Sequence, residues 1–171
     1  EMPYDVHRSQ ILSTFARLQE IPALEGDYFI YVHIIAPHPP FVFAADGGTT
    51  DALGFLNESD KYPADKFAAG YTAQVTFANR ELTRIVQEII ANSDTPPVII
   101  LQGDHGPWLQ PKERHMTILN AYYLPGHQDV ITSEMSPVNT FRIVFNLYLG
   151  GEFDLLENVS YYSPVPKQYN F

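Results

Sequence analysis

Tyr28-Phe29-Ile30-Tyr31-Val32-His33-Ile34-Ile35 is the stretch on which the fold turns, because nearly every position is β-branched or aromatic and polar alternation is almost absent. That pattern predicts a strand covered on both faces, as in a parallel sheet packed between helices. Ala36-Pro37-His38-Pro39-Pro40 comes directly after it. Prolines at 37, 39 and 40 cannot continue a ladder, so the chain is expected to turn out of the sheet there.

On the N-terminal side of this stretch, Ile11, Leu12, Phe15 and Leu18 recur at helical spacing between Arg8 and Leu18, and the segment stops at Ile21-Pro22. On the other side, Phe41 to Asp65 is rich in Gly, Asp, Thr and Asn and reads as an irregular excursion. The clearest helix runs from Ala68 to Asn92, with Tyr71, Val75, Leu82, Ile85, Val86, Ile89 and Ile90 along one stripe. After Pro96-Pro97, Val98-Ile99-Ile100-Leu101 is a short apolar strand, and Thr117 to Leu124 is a third. Ser136-Pro137-Val138-Asn139 opens a last helix through Leu147, with Gly150-Gly151 as its stop. Strands alternating with helices predict an α/β fold, a largely parallel sheet flanked by helices.

The chain has 171 residues, one ordinary domain's worth or half of a larger one, and its ten Lys plus Arg against twenty Asp plus Glu give a formal charge of −10. Hydrophobic residues at 45% supply ample material for a core. So acidic a balance leaves no basic face for nucleic-acid phosphates or anionic lipid, which excludes nucleic-acid binding as an expectation. With no cysteine there is no disulfide framework, thiolate metal site or cysteine nucleophile. Metal ligands must then be carboxylates and imidazoles. The sequence shows no apolar run long enough to span a bilayer.

Two strand ends carry groups capable of chemistry. At Gly103-Asp104-His105-Gly106 a carboxylate and an imidazole leave an apolar strand between two glycines, whose backbone freedom can swing both toward one ion. Asp oxygen and neutral His nitrogen are a common ligand set for divalent metals. The competing reading is a turn in which Asp104 caps the next segment and His105 is solvated. His38, held between prolines, is an aimed side chain or else an exposed loop histidine. His33, inside the apolar run, reads as a core histidine, and His7 and His127 have no supporting context. Asn139 and Arg142 read as a helix cap or a buried polar pair, the cap being favoured.

Ala36-Pro37-His38-Pro39-Pro40-Phe41, a helix ending before Pro96-Pro97, and Val98 to Gly106 occur in a fixed order. That order resembles the C-terminal half of the sulfatase-like branch of the alkaline phosphatase superfamily, and is similar to membrane-anchored proteins related to lipoteichoic acid synthases and phosphoethanolamine transferases. The resemblance implies that residues 1–171 are the C-terminal portion of a metal-dependent hydrolase or phosphotransferase acting on sulfate or phosphate esters. Asp104 and His105 would be ligands of a divalent metal (Mn, Zn, Mg or Ca), held weakly, and His38 would contact the sulfate or phosphate. The family's Thr, Ser or modified Cys nucleophile and an earlier acidic ligand lie in an N-terminal half that this chain lacks. Its partners would then be the ester substrate and that missing half, and its place the extracytoplasmic face of a membrane. Taken alone, the chain is expected to be inert. The alternative from another class is a non-catalytic α/β binding domain derived from the same fold. A calcineurin-type metallophosphatase is disfavoured, because an early Asp-x-His and a Gly-Asn-His motif are both missing.

Overall fold

Tyr4, His7, Ile11 and Phe15, one side chain per helical turn, form the buried stripe of the first helix, α1 (Tyr4–Leu18). Asp5 in its first turn and Arg17 in its last complement the helix dipole. These positions belong to a computed structural model that describes residues 4–51, 63–107 and 115–161. A single 3₁₀ turn, Ile21–Ala23, follows with Pro22 near its start. The second helix, α2 (Ala64–Asn92), buries Gln74, Phe77, Ala78, Ile85 and Ile89 along a stripe of the same period. It begins four residues earlier than the apolar stripe in the sequence suggests, with Asp65 in its first turn. At its end the Ser93 N–H and hydroxyl both donate to the Ile89 carbonyl.

The described residues form two compact units, the first holding α1 and α2, the second holding the strands and the last helix. Part of the core of the first unit, beside the stripes of α1 and α2, comes from a stretch expected to be a mere excursion. Phe41, Val42 and Phe43 are buried there although the chain from Phe41 to Asp51 forms no helix or strand. The Phe43 ring stacks on Phe77 with centroids 4.2 Å apart, and Phe15 tilts against Phe77 at 6.1 Å. Arg8 lays its guanidinium over the Phe43 ring and donates to the carbonyls of Val42, Gly47 and Gly48 at 2.7, 2.6 and 3.2 Å respectively. Tyr4 also donates to the Val42 carbonyl, at 3.1 Å. The remainder of the expected excursion, residues 52–62, lies outside the described residues.

The fold differs from the predicted α/β architecture. Among the described residues helix dominates, and the sheet comprises two short strands, β1 (Ile99–Gln102) and β2 (Asn120–Tyr123), paired antiparallel with Ile99 opposite Tyr123 and Gln102 opposite Asn120. Parallel pairing needs a crossover that carries the chain back to the starting edge, usually a helix, whereas β2 runs back against β1 and the Gly103 N–H extends this antiparallel ladder by donating to the Leu119 carbonyl at 2.9 Å. The run Tyr28–Ile35 is not a strand either. It pairs with no other segment among the described residues, and Phe29 and Tyr31 are 81% and 79% exposed. An apolar, β-prone segment becomes a strand only when a neighbour supplies the ladder. His33 is exposed with it, contrary to the core reading.

In the second unit the last helix, α3 (Thr140–Tyr148), is tied to β2 by a 2.7 Å hydrogen bond between Tyr122 Oη and the buried Thr140 hydroxyl. Asn139 does not cap it through its side chain. Its amide donates to the Leu156 carbonyl and accepts the Leu156 N–H, at 2.8 and 2.9 Å. Asn146 does the same for Phe153, and Arg142 donates to the Asp154 carbonyl. The chain after Gly151 is thus strapped along α3 by side chains that stand in for a neighbouring strand's backbone.

Candidate functional site

The Asp104–His105 pair directly follows β1, as the sequence predicts for this segment. Gly106 behind it is buried, whereas the Asp104 side chain is 88% exposed. Asp104 Oδ1 accepts the His105 N–H at 3.0 Å, while Oδ2 lies 3.7 Å from His105 Nε2. His105 Nδ1 donates to the Gly106 carbonyl at 2.7 Å. A carbonyl accepts only, so this bond keeps the proton on Nδ1 and turns Nε2 toward the carboxylate. Histidines that bind metals are commonly oriented in this way by their other nitrogen.

Two donors on one tetrahedral ion, each at about 2.0–2.1 Å, lie about 3.3–3.4 Å apart, so a small adjustment brings Oδ2 and Nε2 onto a shared divalent cation. The donor set, one carboxylate and one imidazole, fits such an ion. Among the described residues no group of three or more His, Cys, Asp or Glu side chains is gathered for a metal, which leaves these two. Asn120, opposite Gln102 in the ladder, donates to the Met135 carbonyl, and its Oδ1 is a buried acceptor without a partner among the described residues.

His38 belongs to the first unit. Its ring is exposed and Nδ1 donates to the Pro39 carbonyl. The peptide bonds Ala36–Pro37 and Pro39–Pro40 are both cis. The His38 main chain is held by Gln74, fully buried on α2, whose Nε2 donates to the His38 carbonyl at 3.1 Å while Oε1 accepts the Val42 N–H at 2.8 Å.

Sequence reasoning missed Gln74, a polar residue within the apolar stripe of α2, and it missed His7. His7 is buried in the α1 stripe, and its Nε2 has no hydrogen-bond partner among the described residues. Burial holds its pKa below the ordinary 6.5, and the charge of His38 pushes in the same direction. The trace each leaves in the sequence is a polar side chain at a helical core position, which looks the same as a lapse in the apolar pattern. His127 packs edge-on against Tyr148. No helix among the described residues is long and apolar enough to cross a membrane. Comparison with family models, curated proteins and solved structures found no match for the chain.

Proposed function

We propose that this chain is the C-terminal portion of a metal-dependent, sulfatase-like hydrolase or phosphotransferase of sulfate or phosphate esters. The observation that carries this reading is the Asp104–His105 geometry, with Nδ1 engaged by the Gly106 carbonyl and Nε2 facing the carboxylate. Asp104 and His105 would hold a divalent cation. Such an ion supplies Lewis-acid stabilisation of charge on a phosphoryl or sulfuryl oxygen. His38, anchored through its main chain by Gln74, would contact the substrate oxyanion. The nucleophile comes from a further segment, as does the surface that covers Tyr28–Ile35. An apolar run bare on both sides is the mark of a body that has a partner.

Turnover of aryl phosphate and aryl sulfate esters in the presence of Mn²⁺ or Zn²⁺ tests the reading. The 171-residue chain alone shows none, and a longer polypeptide joining it to a nucleophile-bearing half shows metal-dependent turnover that Asp104→Ala abolishes. Metal-dependent hydrolysis by the short chain, or a longer polypeptide indifferent to Asp104→Ala, overturns it.

A further inference from the structure

His7 sits where α1 is fastened to the segment that carries His38. On either side of it along the helix, Tyr4 and Arg8 both donate to the Val42 carbonyl, and Arg8 reaches on to Gly47 and Gly48. Val42 gives its N–H to Gln74, and Gln74 in turn holds the His38 carbonyl. Within this joint His7 is 2% exposed, and its buried Nε2 has no acceptor among the described residues. A neutral imidazole is tolerated in such a place. An imidazolium is not, because its second N–H would be a charged donor with nothing to receive it.

The titratable groups engaged at this joint are Tyr4 and Arg8 on α1, His38 and Asp46 on the following segment, and Tyr71 and Arg80 on α2. Arg8 is occupied by carbonyls, Asp46 accepts the Gly48 N–H, and Arg80 donates to the carbonyls of Ala45 and Asp46. Tyr71 stacks on Phe67, which meets Phe41 edge-on. Of these groups His38 alone bears on the His7 proton, and a positive charge there adds to the penalty of burial. Among the described residues no carboxylate offsets either effect.

We propose that His7 is an acid-operated latch: neutral, it stays in the docking face of α1, and protonated it must leave, so that α1 detaches from the His38 segment. The latch does not rest on the ester-transfer reading. Because the docked imidazole titrates below 6.5, the undocked state takes up the proton more readily. Docking is therefore at full strength above 6.5 and weakens as the pH falls from 6.5 toward the docked value. Each pH unit in that window raises the opening constant by up to about tenfold.

Two measurements on the full chain test this. Imidazole NMR titration is expected to give His7 a midpoint below 6.5, and hydrogen-exchange protection of the α1 amides, corrected for intrinsic rates, is expected to fall by up to about tenfold per pH unit in the window. In His7→Phe, which fills the site without a titrating nitrogen, protection is expected to be flat across it. His7→Gln, neutral and polar, must be flat as well and serves if the phenylalanine variant does not fold. A His7 midpoint at or above 6.5, or the same pH-dependent loss of protection in both variants, overturns the latch.

Discussion

Gln74 on α2 holds the main-chain carbonyl of His38 at 3.1 Å while its other amide atom takes the Val42 N–H. One fully buried side chain thereby spans the proline-rich turn and the aromatic core beneath it. Gln74→Leu keeps the volume and strands both backbone groups. Leaving a buried donor or acceptor unpaired costs about 1–3 kcal/mol, so urea unfolding is expected to show a loss of about 2–4 kcal/mol, with faster exchange at Val42. A Leu variant as stable as the parent shows that water replaces the amide.

Helices were the legible part of this chain, and strand pairing was not. Apolar spacing marks α1, α2 and α3 because a helix satisfies its own backbone, so its pattern needs no knowledge of what lies elsewhere. Tyr28–Ile35 carries an equally plain β pattern, yet a strand is completed by another segment, and the described residues provide none. Asp104 and His105 were readable from two glycines and an apolar run. Gln74 and His7 were not, because a polar residue inside an apolar helical stripe is indistinguishable in sequence from a lapse in the pattern.

The Asp104–His105 pair leads to a metal prediction. Two ligands leave most of the coordination shell to water, so Zn²⁺ or Mn²⁺ binding by this chain is expected to be weak, with His105 ring signals moving first in a Zn²⁺ titration. His105→Ala and Asp104→Ala are each expected to weaken it at least about tenfold, a magnitude typical of altered metal coordination. Tight stoichiometric binding that survives both substitutions places the ion elsewhere.

Exposure of Phe29 and Tyr31 gives a prediction with the opposite character. Their side chains bury little in this chain, so the double variant Phe29→Ser, Tyr31→Ser is expected to change unfolding stability by no more than about 0.5 kcal/mol. Dye binding and self-association, both driven by exposed apolar surface, are expected to fall. A loss of about 2 kcal/mol or more means that these rings are packed in solution.

Gly70 lies well inside α2, where alanine is the better helix former by about 1 kcal/mol. Helix propensity alone therefore predicts that Gly70→Ala stabilises. A Cβ at this position, however, lands 2.4 Å from Cδ2 of Phe41, a ring that is itself buried against the core. Overpacking of this kind costs about 1–3 kcal/mol, and at so short a distance the upper part of that range applies, since the whole ring must move rather than a flexible tip. The net expectation is a loss of about 1–2 kcal/mol by urea unfolding. Phe41→Leu in the same chain removes the obstructing ring, so the alanine is expected to be neutral or favourable there, and the double-mutant cycle to show coupling between the two sites. Additive effects of the two substitutions, with Gly70→Ala stabilising in either background, mean that Phe41 does not rest on Gly70.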